Sequence, residues 1–88
     1  MGGLRSFEWF GGDFKNINIE GVSFIHHDKD HNKDATDMPF NYCNILYCNF
    51  KLYEEYYIFA IAVSEEVGKR PKYYRKWGSS RITSWTEL

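Results

Sequence analysis

The sequence predicts a mainly β or α+β domain: a small antiparallel meander sheet or barrel of five to six short strands, with room for one short helix. Three observations lead there. Residues 42–63 (YCNILYCNFKLYEEYYIFAIAV) form the one long apolar stretch and begin with alternation of period two. Tyr, Phe, Ile and Val, which fit a pleated surface, outnumber the good helix formers in it. Turn signals built on Gly, Pro, Asn and Asp divide the remaining chain into short apolar runs.

The elements follow in order. Residues 4–10 (LRSFEWF) make a short strand, and Gly11-Gly12-Asp13 reads as a hairpin turn. The string GGDF resembles the signature of diguanylate cyclases, but its Glu is absent and the chain is too short for that domain. Residues 16–26 (NINIEGVSFIH) alternate through Ile17 and Ile19, then change phase to Val22, Phe24 and His26. That slip at Glu20-Gly21 marks a β-bulge or a tight turn. Residues 26–37 (HHDKDHNKDATD) carry no apolar period and read as a solvated loop, after which Pro39 biases Met38 to an extended geometry.

In the central stretch, Leu46, Cys48, Phe50 and Leu52 share one strand face, opposite Tyr47, Asn49, Lys51 and Tyr53. Residues 56–63 hold no charged side chain, as in a strand covered on both sides. A helix with Cys43, Leu46, Phe50, Tyr53 and Tyr57 as its stripe is the competing reading. The hairpin is preferred. Glu54-Glu55 is poor chemistry for a two-residue turn, so a longer loop over residues 53–56 is expected. Residues 64–68 make one helical turn or a plain loop. Residues 72–77 and 82–88 form two strands around Gly78-Ser79-Ser80.

Eighty-eight residues make a single domain near the small end of what folds without staples. Nineteen per cent aromatic residues offset that size, because each buried ring removes a large apolar area from water. Cys43 and Cys48 are an odd number of positions apart, so on a strand they face opposite ways and cannot pair with each other. Free thiols point to a reducing compartment. No signal peptide is apparent, and the apolar runs are too short for a spanning helix, so a cytosolic, non-membrane protein is expected. The net charge of −1 hides a division. Residues 1–68 hold five cations against eleven carboxylates, whereas residues 69–88 hold six cations against Glu87 alone. One acidic and one basic face are expected unless the fold interleaves them.

Several chemistries can be weighed. His26, His27 and His31 with Asp28, Asp30 and Asp34 offer imidazoles and carboxylates to a zinc-like ion. The Asp28, Asp30, Asn32, Asp34 spacing resembles the start of a calcium loop. It has Lys33 where such a loop needs Gly, and Pro39 where it needs a bidentate Glu. An ordinary solvated loop accounts for the segment better, and no metal or cofactor is expected. Neither cysteine has a His placed to activate it, and no nucleotide-binding or nucleophile-elbow motif occurs, so an enzyme is not expected.

His27-Asp28-Lys29-Asp30, followed by Pro39 and an aromatic-apolar strand, resembles a segment of plasmid rolling-circle replication initiators. In those proteins such a run precedes a Pro-His-x-His strand that holds the metal of a tyrosine nuclease. The likeness covers about a quarter of the chain. Phe40, Asn41, Tyr42 and Cys43 stand where the histidine pair belongs, so the resemblance implies a site without its metal ligands and carries over no catalytic residue.

The C-terminal run KRPKYYRKWGSSRITSW interleaves cations with Tyr73, Tyr74, Trp77 and Trp85. Arg, Tyr and Trp dominate protein–protein hot spots, and the same types bind single-stranded nucleic acid through phosphates and stacked bases. The expectation is a small non-enzymatic protein-binding module, an inhibitor or adaptor of a larger partner. Small dipolar, aromatic-rich chains of this kind are common among phage-encoded inhibitors and immunity proteins. Its contact residues would be Tyr73, Tyr74, Arg75, Trp77, Arg81 and Trp85, or the acidic Asp28, Asp30 and Asp34 against a basic groove. Single-stranded nucleic-acid binding through the basic aromatic segment is the alternative.

Overall fold

A computed structural model describes residues 5–8, 12–78 and 81–88, with side chains for 12–78 and 82–88. Strands dominate it, and α-helix is absent among the described residues. The two longest strands, β5 (Tyr42–Leu52) and β6 (Glu55–Ser64), form the hairpin expected from the central stretch. On one side β5 pairs antiparallel with β3 (Gly21–Asp28). On the other, β6 pairs antiparallel with β7 (Lys72–Trp77). Two short strands, β8 (Arg81–Ile82) and β9 (Thr86–Glu87), both lie against β7.

The N-terminal run departs from the meander. Strand β1 (Arg5–Glu8) pairs parallel with β3 at the sheet edge. Gly12-Asp13 is not a hairpin turn but β2, which pairs parallel with β4 (Ala35–Thr36) away from the main sheet. The part of the expected turn at Gly11, and the strand residues Leu4, Trp9 and Phe10, lie outside the described residues. The main sheet runs β1-β3-β5-β6-β7-β8 and stays open, so the sheet alternative holds rather than the barrel.

One face of this sheet is covered. After β2 the chain makes a 3₁₀ turn, Phe14–Asn16, capped by the Asp13 carboxylate, which accepts from the Lys15 N–H at 3.1 Å. Phe14 is thereby driven into the core. Its ring meets Tyr47 edge-on at 6.1 Å, Tyr74 edge-on at 5.1 Å and Trp85 at 5.0 Å. Tyr47, Ala60 and Tyr74 stand in one row across β5, β6 and β7. The small Ala60 between the two tyrosines leaves room for a third ring above the sheet.

The covering layer is tied down by hydrogen bonds. Tyr47 Oη donates to the Ile17 carbonyl (3.0 Å), Asn49 Nδ2 to Asn18 Oδ1 (2.7 Å), and Trp85 Nε1 to the Asp37 carbonyl (2.9 Å). Ile17 is buried in this layer and Ile19 packs against it. The phase change at Glu20-Gly21 is therefore the junction between the covering segment and β3. Gly21 sits there at φ +95°, a conformation open to glycine.

Two further local expectations are corrected and one open alternative is decided. Leu52 pairs directly with Glu55, so the β5–β6 connection is a two-residue turn, not a longer loop. Tyr53 and Glu54 both adopt positive φ (51° and 69°), the geometry that strand twist demands of a tight hairpin. Of the two readings of residues 64–68 the loop holds: Ser64 ends β6, and bends and a turn follow. The polar stretch from His26 is not all loop. His26, His27 and Asp28 belong to β3, and Asn32 folds back to bury its side chain, its N–H donating to the Asp28 carbonyl at 2.8 Å.

Candidate functional site

Strand parity sends alternate residues to opposite faces, and here it inverts the expected burial. The covered face takes Ser23, Ile25 and His27 from β3, and Cys43, Ile45, Tyr47 and Asn49 from β5, all at 3 % exposure or less. The more apolar set, Val22 and Phe24 on β3 with Leu46, Phe50 and Leu52 on β5, points the other way and stays 37–53 % exposed. Strand β6 repeats the pattern. Ile58, Ala60 and Ala62 are buried, whereas Phe59 and Val63 are exposed, so its apolar run is covered on one side and not on both.

Register joins these side chains into rows on the open face. Phe24, Leu46, Ile61 and Tyr73 make one row across four strands. Val22, Cys48, Phe59 and Arg75 make the next, and Phe50, Tyr57 and Trp77 the third. Phe50 and Tyr57 stack across β5 and β6 with centroids 6.4 Å apart and planes 19° apart. The Arg75 guanidinium lies over the Trp77 ring, 3.9 Å from its centre. Phe50, Tyr57, Phe59 and Trp77, with Ile58, enclose a shallow cavity of about 330 Å³.

At the opposite end of the face, polar groups satisfy one another. Asn44 bridges His26 Nδ1 (2.8 Å) and Glu65 Oε2 (3.2 Å), and His26 also approaches Glu65 at 3.3 Å. Asp28 accepts from the Asp30 N–H (2.8 Å), which lowers its carboxyl below the usual value, and His31 Nδ1 adds to this at 3.1 Å. Tyr42 Oη donates to Asp30 at 3.1 Å. The three imidazoles do not converge, since His26 faces the open side, His27 the core, and His31 solvent. Among the described residues no group of three or more His, Cys, Asp or Glu is placed to hold a metal ion.

The expected contact residues are split by the fold. Arg75 and Trp77 reach the open face, and Tyr73 stands half-buried in its first row, beside Ile61. Tyr74 does not: at 1 % exposure it is core, and burial pushes its hydroxyl up to about 12. Trp85 packs on Phe14 and Tyr74 as part of the covering layer. Tyr74 is thus removed from any contact surface, whereas Trp85 stays partly exposed beside it. Arg81 pairs with Trp77 through the backbone, and its side chain lies outside the described residues. Asp28 and Asp30 are engaged at the polar end, and Asp34 is exposed.

The expected basic face is likewise interleaved. Lys72 and Lys76 point to the covered side, where Lys72 Nζ donates to the Pro39 carbonyl (3.2 Å) over the Phe40 ring, and Lys76 Nζ donates to the Lys15 carbonyl (3.3 Å). Sequence reasoning missed Val22, Phe24, Leu46, Phe50, Phe59 and Val63, because apolar alternation reads as core. The signal available was excess: residues 56–63 are apolar on both faces in a chain too small to cover both.

The two cysteines differ in burial, Cys48 being half-buried. Cys43 is fully buried, its thiol pushed up to about 12 by burial, and it faces His27, whose ring burial holds below its ordinary pKa. Among the described residues no helix is long and apolar enough to cross a membrane. Comparison with protein-family models, with curated proteins and with solved structures gave no match.

Proposed function

We propose that this chain is a non-enzymatic protein-docking module, an inhibitor or adaptor that seats the open face of its sheet on a larger protein. The observation that supports this is the inverted burial: the more apolar set of side chains faces outward in register across four strands. Eight large apolar side chains left 37–53 % exposed leave on the order of 600 Å² of apolar surface. That lies at the top of the range for the largest patch on an ordinary monomer, roughly 300–600 Å². It approaches the roughly 800 Å² that one partner contributes to a standard interface. The chain would act in a reducing cytosol, where Cys43 and Cys48 stay free.

Single-stranded nucleic acid is the second reading, supported by Arg75 stacked on Trp77. It is the weaker one, because Lys72 and Lys76 are tied to carbonyls on the other face and leave few cations for phosphates.

The test is capture from cytosol by the wild-type protein and by Phe24→Ser/Phe59→Ser, each with and without nuclease. A stoichiometric protein that persists after nuclease, and whose affinity falls at least about 30-fold with the double variant, supports docking through this face. Equal capture by the two proteins, or capture that nuclease abolishes, overturns it.

A further inference from the structure

Resting on the docking reading, we infer that the partner presents one large apolar side chain with a carboxylate beside it, the first entering the Phe50–Tyr57–Phe59–Trp77 cavity and the second meeting Arg75. This cavity of the open face is walled by rings, and the Arg75 guanidinium stands beside it over Trp77. Arg75 stands in register with Phe59, and its guanidinium is held over Trp77, so two walls of the cavity also position the cation. A guanidinium held over a ring by a cation–π contact still has N–H donors to offer, and their fork matches a carboxylate.

Among the described residues no carboxylate fills that role. Among the described residues Arg75 makes no ion pair. Of the described carboxylates on the open face, Glu65 and Asp28 lie at its far end, where Glu65 is held by Asn44 and His26, and Asp28 by the Asp30 N–H and His31. Glu55, nearer by register, turns its carboxylate against Gly78 and lines a separate hollow with Lys76. Besides the Tyr57 hydroxyl and the Trp77 indole N–H, the side chains lining the cavity are apolar, so a large apolar protein side chain suits them better than a nucleobase with its several edge groups. Hot spots follow the same pattern: Trp, Tyr and Arg gathered around a pocket that a partner anchor desolvates.

The experiment is an amide-resolved NMR titration with three probes: N-acetyl-tryptophan as its carboxylate, N-acetyl-tryptophanamide, and uridine monophosphate. Sedimentation is measured at the same concentrations. The inference predicts shifts centred on Phe50, Tyr57, Phe59 and Trp77, and about three-fold tighter binding of the carboxylate than of the amide. Arg75→Gln should erase that preference, so that the carboxylate and the amide bind equally. Equal affinities in the wild type, shifts centred elsewhere, or no binding by either tryptophan probe overturns the anchor. Tighter binding of the nucleotide overturns it in favour of nucleic acid, and a dimer whose dissociation the probes must compete with overturns it in favour of a second copy. Loss of the anchor alone leaves the capture result with Phe24→Ser/Phe59→Ser standing, so the two readings fail separately.

Discussion

Cys43 and Cys48 lie on one strand and face opposite sides of the sheet, Cys43 at 0 % exposure in the core and Cys48 half-buried in the open face between Val22 and Phe59. Their reactivities should therefore separate. At pH 8, one equivalent of a disulfide reagent such as DTNB should react with the native protein, at Cys48. The second should react only in denaturant, since burial disfavours the Cys43 thiolate and pushes its pKa up to about 12. Two equivalents reacting at native rates would contradict the burial described.

The β5–β6 turn stores strain that can be removed. Tyr53 and Glu54 hold positive φ without the benefit of glycine or asparagine, at a cost of about 1 kcal/mol or more each. Tyr53→Asn with Glu54→Gly should raise stability by about 1–2 kcal/mol in urea unfolding. The change also removes the Lys51–Glu54 ion pair (3.7 Å), which is exposed and contributes little.

Stability and docking should respond to different phenylalanines. Phe14→Ala removes the ring that contacts Tyr47, Tyr74 and Trp85, and should cost about 3–5 kcal/mol. Phe59→Ser, on the open face at 39 % exposure, should cost about 1 kcal/mol or less and act on partner capture instead. Thermal melts of the two variants make the comparison.

His27 gives the stability curve a sign. Burial holds its pKa below the ordinary 6.5, outweighing the attraction of Asp28. Above pH 6.5 the ring is neutral in both folded and unfolded chains and contributes no pH dependence. Below it the unfolded chain binds the proton first, so stability falls as pH drops from 6.5 towards the folded pKa. Asp28, whose folded pKa is lowered, adds a further loss as pH falls below its ordinary 3.8. His27→Gln should remove the upper part of this slope in denaturation measured between pH 7 and 5.

The fold class was legible because the chain's long apolar stretch carries a period of two, which fixes strands and places Cys43 and Cys48 on opposite faces. The parallel pairing of β1 with β3 was not, because parallel partners are far apart in sequence and no local signal marks them. The turn at Tyr53-Glu54 was misread for a physical reason: strand twist and the pairing of the strands on either side hold those residues where their own preferences would not. The open face was misread for a subtler one. Leu46, Phe50 and Phe59 look like core residues, and Tyr47, Asn49 and Ser23 do not. The choice was made by Phe14, Ile17 and the hydrogen bonds to Ile17 and Asn18, which need tyrosine and asparagine on the side they cover. Of the C-terminal contact residues, alternation alone separates Arg75 and Trp77 from Tyr74, but which set faces out depends on that same covering layer.

The central claim is that a protein partner seats on the open face, and Cys48 lies in its middle row. The most direct measurement is the alkylation rate of Cys48 in the free protein and in its captured complex, read by mass spectrometry, with Cys43 as the internal reference. Slowing of at least ten-fold at Cys48 on binding is predicted, with Cys43 protected in both states. An unchanged Cys48 rate in a stoichiometric complex would place the partner elsewhere and contradict the account.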